Sequence, residues 1–321
     1  MSAPEGWSEF DLIDRLFKPL AEGAPEALGL IDDAALVPGR EGHELVITAD
    51  ALVEGVHFLH SDPPDMVAQK LLRVNLSDLA AKGARPYGYF LTIAWPHGQS
   101  HVGQELFAAG LAHDQRLFGL KLFGGDTVST PGPLTLSATL LGWVTTGSMV
   151  KRSGAKTGDL LLVSGPIGDA TLGLRAARGE LSGLADWELD FLIHRYRVPT
   201  PRIDLHGALG QAHAAADISD GLIADAGKIA AASGLGVEID LARLPLSPTA
   251  ERWVAAEPER DQALLTLAAG GDDYEIACAA ADHIPGFTAV GRFKAQAGVA
   301  VFHAGQIMSV GRMGYRHGKD G

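Results

Sequence analysis

The fold class follows from two neighbouring stretches, residues 44–50 and residues 64–84, which read ELVITAD and PDMVAQKLLRVNLSDLAAKGA. The first is an apolar run of strand length that delivers Asp50 at its end. The second predicts a helix that Gly83 and Pro86 terminate. Its apolar stripe consists of Ala68, Leu71, Leu72, Asn75, Leu76 and Leu79. A strand followed by an amphipathic helix indicates an α/β or α+β protein.

The same alternation of strand-length and helix-length segments continues along the rest of the chain. In the first half we expect strands at 89–95, 120–123 and 134–144 and a helix at 104–118, with Gly124, Gly125 and Asp126 directly after the second of these strands. In the second half we expect strands at 160–164, 237–241 and 274–279, a helix from Asp169, and a helix from Ser219 or Asp220 to Ser233 and Gly234. This order again favours α/β or α+β over an all-α or all-β fold.

A polar stretch near the middle of the chain predicts a domain boundary. Residues 147–159 read GSMVKRSGAKTGD. A chain of 321 residues also corresponds to two domains at about 150 residues each. We therefore expect one domain over 1–147 and a second over 148–321.

Charge and composition exclude several classes of protein. With 26 basic and 39 acidic residues the net charge is −13, which repels a phosphate backbone and argues against nucleic-acid binding. The single cysteine, Cys278, excludes an internal disulfide and a cysteine-based zinc site, and in the apolar run YEIACAA it is expected to be inert. No apolar run approaches the roughly 20 residues of a membrane span, and MSAPEGWSEF at the start has no leader pattern. A soluble, cytoplasmic protein is the expectation.

Aspartates flanked by small or apolar residues are the candidate chemistry. They are Asp32, Asp33, Asp50, Asp78, Asp126, Asp217 and Asp220. Each alone is explained as a helix cap or turn residue. If several converge, however, each close pair repels by about 4 kcal/mol at 4 Å and an effective dielectric of 20, which bound cations or raised pKa values would offset. Oxygen ligands without His or Cys favour Mg²⁺ that bridges carboxylates to substrate phosphates, and hence a nucleotide.

Familiar phosphate-binding loops are missing from the sequence. It has no G-x-x-x-x-G-K-[ST] loop, no protein-kinase catalytic loop and no G-x-G-x-x-G after a strand. Phosphates would then be held by metals, by Arg152 and Lys156, and by backbone N–H groups at helix starts. Gly165 and Gly168 before the helix at Asp169 form either such a cradle or an ordinary turn.

Taken in order, seven motifs resemble the thiamine-monophosphate kinase family of the aminoimidazole-ribonucleotide-synthetase-like superfamily. They are LIDDAA at 30–35, TADALVEGVHF at 48–58, NLSDLAAKGARP at 75–86, FGGDT at 123–127, RSGAKTGD at 152–159, DISDGL at 217–222 and GGDDYE at 270–275. The resemblance implies a two-domain fold of mixed sheets with packed helices. It also implies direct transfer of the γ-phosphoryl group of ATP to thiamine monophosphate, several Mg²⁺ ions, and a homodimer joined through strands near 89–95 and 134–144.

Roles for individual residues follow from the same resemblance. The implied Mg²⁺ ligands are Asp33, Thr48, Asp50, Asp78, Asp126 and Asp217, with Asp220 at a further ion near the nucleotide. The implied ATP contacts are Gly125, Asp126, Arg152 and Ser219. His57, Asp272 and Tyr315 would contact the thiamine phosphate, Tyr315 by stacking. Arg152 and Asp126 would act electrostatically, and no general base is nominated because a phosphate oxygen is already deprotonated at pH 7.

Three positions depart from the family pattern, and two alternatives stay open. Ile31 and Ala49 stand where the family has Gly and often Thr, and Asp272 replaces a longer Glu. The first alternative is another ATP-using synthetase of the superfamily. A relative with a reactive cysteine near the start does not fit, because the single cysteine is Cys278. A relative that ends in a cysteine does not fit, because the tail reads RHGKDG. The second alternative is a non-catalytic nucleotide- or thiamine-phosphate-binding module.

Overall fold

Two sheets organise the chain, each in its own unit. The structure is a computed structural model that describes residues 7–311 and 313–315, so the first six residues, Arg312 and the whole of the tail RHGKDG lie outside it. The first unit comprises the chain up to Leu79 together with Arg85–Gly147, and the second comprises Ala80–Ala84 together with the chain from Ser148 onward. No helix in the described ranges combines the length and apolarity that crossing a membrane requires.

The first unit is a four-stranded mixed sheet with helices. Its strands are β1 (His43–Val53), β2 (Arg85–Pro96), β3 (Leu122–Thr130) and β4 (Thr135–Thr145), in the order β1-β4-β2-β3. The β2–β3 pair is parallel and the other two pairs are antiparallel. Its helices are α1 (Glu9–Leu12), α2 (Pro64–Ala81) and α3 (His101–Phe118), with short π and 3-10 turns at Ile13–Phe17, Pro19–Ala21 and Pro25–Leu30.

Helix α2 confirms the predicted apolar stripe, because all six residues of the stripe are fully buried. The helix ends at Ala81, three residues before the predicted end, where Gly83 adopts a left-handed φ of 68° and its N–H donates to the carbonyl of Ala80. A buried ion pair joins α2 to α3: Arg73 Nε and Nη2 lie 2.7 Å and 2.9 Å from the two carboxylate oxygens of Asp114. This bidentate pair fixes the helix that carries Asp78.

Two strands in this unit run further than predicted. Asp50 lies inside β1 rather than at its end, because β1 pairs with β4 along its whole length and places Asp50 opposite Ala138. Likewise Gly124, Gly125 and Asp126 lie inside β3, which starts at Leu122 and continues to Thr130. Both predictions were wrong about the strand ends, since pairing with a neighbour extends a strand through residues of low strand propensity.

The second unit is a seven-stranded mixed sheet with five helices described. Its strands are β5 (Leu160–Val163), β6 (Ala214–Asp217), β7 (Gly236–Asp240), β8 (Ile276–Ala280), β9 (Thr288–Lys294), β10 (Gly298–His303) and β11 (Gln306–Ile307), in the order β11-β10-β7-β9-β5-β8-β6. Its helices are α4 (Asp169–Ala177), α5 (Asp186–Arg197), α6 (Leu222–Ala232), α7 (Pro248–Ala256) and α8 (Arg260–Ala269). Only β7–β10 pair in parallel among the strands described.

In this unit the predicted helices and strands are found, but some of them begin or end at other residues than predicted. Helix α4 begins at Asp169 as predicted, whereas α6 begins at Leu222 rather than at Ser219 or Asp220. Cys278 is fully buried in β8, and burial raises the pKa of its thiol to about 12, which confirms an inert core cysteine. With parallel and antiparallel pairs in both sheets and helices packed on them, the predicted mixed α/β fold is confirmed.

Candidate functional site

Two of the predicted carboxylates, Asp50 and Asp78, form one acidic pair in the first unit. Thr48 and Asp50 lie two residues apart on β1 and therefore face the same side of the sheet. The Thr48 hydroxyl donates a short hydrogen bond to Asp78 Oδ2 on α2. Part of the Asp50 side chain is exposed to solvent. The burial of the rest raises the pKa of its carboxyl to about 6, and the charge of Asp78 adds to this rise.

The acidic pair and Thr48 suit a hard divalent cation. Every donor is an oxygen, and the carboxylates of Asp50 and Asp78 are close enough for the charge of Asp78 to add to the raised pKa of Asp50, after burial. Across residues 7–311 and 313–315, no three His, Cys, Asp or Glu side chains stand close enough to hold a metal ion among themselves. A pair of carboxylates is the ligand set of an ion that takes its remaining ligands from water and substrate phosphates, as Mg²⁺ does.

A second group of predicted residues lines a cavity of about 550 Å³ in the same unit. Asp32, Asp33, Gly125 and Asp126 are in its wall, and Thr92 lies beside Asp126 across the β2–β3 pair. Gly125 has a structural reason to be glycine, because a Cβ there would overlap the carbonyl oxygen of Leu91. The cavity thus brings the predicted ligands Asp33 and Asp126 to one space.

Asp126 does not join the acidic pair within one chain. The register places Asp50 opposite Ala138, Ala138 opposite Leu91, and Leu91 opposite Gly125, so Asp126 points to the other face of the sheet. Three inter-strand steps separate β1 from β3, which is roughly 14 Å at about 4.8 Å a step. The expected convergence of the aspartates on one point therefore needs correction: Asp50 and Asp126 belong to two distinct groups.

Two further predicted positions in this unit have defined surroundings. His57 follows β1 and is half-buried, and its Nδ1 accepts the N–H of Val53 at 3.0 Å. Ile31, where the family pattern has Gly, takes an ordinary φ of −112°. The left-handed residues of this turn are Leu28, Gly29 and Leu30, so position 31 does not require glycine.

In the second unit four predicted residues meet at one turn. Residues 219–221 separate β6 from α6, and the N–H of Asp272 donates to the carbonyl of Ser219 at 2.9 Å. The N–H of Tyr315 donates to the carbonyl of Asp220, also at 2.9 Å. Ser219, Asp220 and Asp272 are half-buried and the Tyr315 side chain is 38% exposed. This arrangement gathers predicted nucleotide, metal and substrate contacts around one segment.

The remaining predicted residues of this unit, Asp217 and Arg152, both precede that turn in sequence. Asp217 ends β6 and is 5% exposed. Arg152 is exposed, and no hydrogen bond or ion pair is found for it within the described residues. An arginine of this kind is available to an anionic ligand.

Of the two interpretations of Gly165 and Gly168 that the sequence left open, the hydrogen bonds at the start of α4 favour the ordinary turn over the phosphate cradle. The buried carboxylate of Asp273 accepts the N–H of Gly168 at 2.8 Å and the N–H of Ala170 at 3.3 Å. Burial raises the pKa of Asp273 well above its usual range, against the lowering effect of these hydrogen bonds. Because the carboxylate of Asp273 accepts these two N–H groups, they are not available to a ligand.

Sequence reasoning missed Asp225 and Lys228 on α6. The Asp225 carboxylate accepts N–H groups from the turn at 219–221, and Lys228 contacts both Asp225 and Asp220. Burial alone would lower the pKa of Lys228, but its bonds to Asp220 and Asp225 outweigh burial and raise it. An acidic residue in the first turn of a helix is the signal that could have identified Asp225.

Comparison with known proteins assigns the class. The family model described as AIR synthase related protein, N-terminal domain, matches residues 31–144, and the corresponding C-terminal domain model matches residues 156–304. The two units therefore carry the two-domain architecture of AIR synthase related proteins. A thiamine-monophosphate kinase of Caulobacter vibrioides is 50% identical over 97% of this chain and 91% of its own length. On that identity, the chain belongs to the thiamine-monophosphate kinase family of enzymes.

Solved structures agree with this assignment. The crystal structure of thiamine-monophosphate kinase from Stenotrophomonas maltophilia K279a is 37% identical, covers 92% of this chain and 96% of its own, and has a TM-score of 0.80. The structure of AaThiL complexed with AMPPCP and TMP is 30% identical over 96% of this chain and 97% of its own, with a TM-score of 0.77.

Replacing Asp78 by Asn is expected to lower the pKa of Asp50 in the metal-free protein from about 6 part of the way towards its usual range. The neutral amide removes the repulsion from Asp78, whereas burial, the larger cause, persists. Carboxyl NMR titration of Asp50 measures the change. Asp14→Asn, the same change at an exposed position, serves as the control, and an unchanged Asp50 titration in Asp78→Asn would contradict the pairing.

Proposed function

We propose that this protein is an ATP-dependent kinase that phosphorylates thiamine monophosphate to thiamine diphosphate. The observation that carries the proposal is the acidic pair with Thr48, found in a chain whose 50%-identical relative is a thiamine-monophosphate kinase. The related AaThiL structure was solved with AMPPCP and TMP, which are the kinds of ligand this reaction requires.

The chemistry is an in-line displacement between two phosphates. An oxygen of thiamine monophosphate forms a bond to the γ-phosphorus of ATP while the bond from that phosphorus to the β,γ-bridging oxygen breaks, giving thiamine diphosphate and ADP. The attacking oxygen is already deprotonated, so no side chain has to remove a proton. Catalysis then depends on orienting two anions and stabilising their charge.

Mg²⁺ is the proposed metal, with several ions expected. In the first unit the proposed ligands are Thr48, Asp50 and Asp78, with Asp33 and Asp126 at the cavity; in the second they are Asp217 and Asp220. When bound, Mg²⁺ supplies the positive charge that neutralises the carboxylates and the phosphates. These side chains bind and orient, and none is required to transfer a proton.

The other residues proposed to contact ATP are Arg152, Ser219 and the β3 residues Gly125 and Asp126. Arg152 is exposed and lacks a partner among the described residues, which leaves its guanidinium available to a phosphate. Asp126 faces the 550 Å³ cavity from β3. Arg152 and Asp126 are therefore proposed as the electrostatic residues of the reaction.

Thiamine monophosphate is proposed to contact His57, Asp272 and Tyr315. The Tyr274 hydroxyl donates to Asp272 Oδ1 at 3.2 Å, which orients this carboxylate. Asp272 itself adopts a left-handed φ of 68°. The exposed ring of Tyr315 is able to stack on an aromatic ring of the substrate.

A purified sample should release ADP from ATP and Mg²⁺ only when thiamine monophosphate is added, with free thiamine as a poorer acceptor because it offers no phosphate. A coupled assay for ADP, with thiamine diphosphate identified as product, checks this. Binding of both ligands by calorimetry without ADP release would instead favour the non-catalytic module.

Asp78→Asn is expected to lower kcat/KM by about 10²-fold or more while the fold survives, because it removes a charged oxygen ligand beside the phosphates. Initial rates at limiting Mg²⁺, with circular dichroism to verify folding, measure the effect. Asp65→Asn, in the first turn of the same helix, is the control and should keep wild-type rates. Wild-type-like turnover in Asp78→Asn would remove Asp78 from the site.

We propose that the protein acts in the cytoplasm. We also propose a homodimer, with a contact that differs from the one nominated from the sequence. Strands β2 and β4, nominated from the sequence, are internal, so their backbone groups are already paired. Ile47 and Val128, on the face of the sheet that carries Asp126, are 60% and 49% exposed and offer an apolar surface.

Light scattering at micromolar concentration should therefore give the mass of a dimer, and Ile47→Glu together with Val128→Glu should shift it towards the monomer. A wild-type monomer under these conditions would exclude the dimer. An unshifted double variant would exclude this face as the contact.

A further inference from the structure

The turn at residues 219–221 is held by one buried carboxylate. Oδ2 of Asp225 accepts the N–H groups of three consecutive residues, Ser219 at 3.0 Å, Asp220 at 2.9 Å and Gly221 at 3.2 Å. Asp225 is 1% exposed and lies in the first turn of α6. All three amides of the turn therefore point into the protein.

The second oxygen of the same carboxylate is also occupied. Lys228 Nζ lies 2.7 Å from Asp225 Oδ1 and makes a short ion pair with Asp220 Oδ2. Lys228 thus connects the buried anchor to the half-exposed carboxylate of Asp220. The charge of Asp225 is compensated inside the unit, by three N–H dipoles and one ammonium group.

The carbonyl groups of the turn fasten two other segments. Ser219 O accepts the N–H of Asp272, and Asp220 O accepts the N–H of Tyr315, both at 2.9 Å. The approach is close enough to require glycine nearby, because a Cβ at Gly271 would overlap Ser219 O. A displacement of the turn would therefore move Asp272 and Tyr315 with it.

From this network we infer that Asp225 is a positioning residue: it holds the turn so that the side chains of Ser219 and Asp220 face the nucleotide, and through the turn it places Asp272 and Tyr315 at the acceptor. The inference rests on the proposed function. The backbone amides of residues 219–221 already donate to Asp225, so this turn contacts the nucleotide through its side chains.

Asp225→Asn tests the inference on the full-length protein. An asparagine has one acceptor oxygen, so it either accepts the turn amides and directs its NH₂ group at Lys228, or bonds Lys228 and directs NH₂ at the amides. In the first case Lys228 loses its partner on α6 and is no longer held against Asp220, and in the second case the turn amides lose their acceptor. Either way the network that fixes the turn is broken. We expect KM for ATP and KM for thiamine monophosphate to rise by about 10-fold or more, as for other residues that orient a ligand-binding group.

Lys228→Met is a second variant, at a side chain that is 39% exposed, and keeps the test valid if Asp225→Asn does not fold. It is expected to raise both KM values in the same direction. The matched control is Glu188→Gln: Glu188 is 2% exposed, accepts the N–H of Ala185 at 2.8 Å and pairs with Arg252 at 2.8 Å, but does not contact the turn. Both KM values should stay at wild-type level in this control.

The outcomes separate this inference from the proposed function. Suppose that the wild type is active and that a folded variant, Asp225→Asn or Lys228→Met, keeps both KM values. Even if kcat falls because a smaller fraction of the enzyme is active, Asp225 then has a structural role only and the inference fails. If the wild type does not phosphorylate thiamine monophosphate, the proposed function fails, and calorimetry with ATP and Mg²⁺ decides the inference. Weaker binding by Asp225→Asn would then support it, and equal binding, or none by the wild type, would overturn it.

Discussion

Repulsion between like charges is the constraint on which the rest of this protein depends. The reaction we propose joins two phosphates in a chain of net charge −13, next to Asp50, whose pKa is raised by burial and by the charge of Asp78. Among the described residues, neither carboxylate has a basic side chain as an ion-pair partner. The Mg²⁺ ions that we propose would supply the balancing charge, which agrees with a proposed site made of oxygen donors rather than of a catalytic acid or base.

In the second unit, two carboxylates are buried and have hydrogen-bond partners within the unit. Asp225 and Asp273 are buried, and each accepts backbone N–H groups beside the start of a helix. These internal anions occupy the positions at which many nucleotide-binding proteins hold a phosphate. The occupied starts of α4 and α6 agree with the absence of a glycine-rich phosphate-loop motif from the sequence. In the reaction that we propose, side chains and metal ions would therefore hold the ligand phosphates.

Sheet geometry further divides the acidic residues of the first unit. Because side chains alternate along a strand, Asp50 on β1 and Asp126 on β3 face opposite sides of the sheet. Asp50 is paired with Asp78 on a helix that a buried ion pair anchors, whereas Asp126 faces a cavity with Asp33. The fold thus supplies two separate acidic groups in this unit rather than one cluster.

The sequence alone determined the alternation of elements, the buried stripe of α2 and the family, because periodicity and motifs are local properties of the chain. Through the family resemblance, the sequence also nominated Ser219, Asp220, Asp272 and Tyr315 as ligand-binding residues. Tertiary structure decided where strands end, since β1 continues past Asp50 by pairing with β4. It also decided that Asp273 occupies the start of α4, because Asp273 lies more than a hundred residues from the amides of Gly168 and Ala170, and such contacts depend on how distant segments pack.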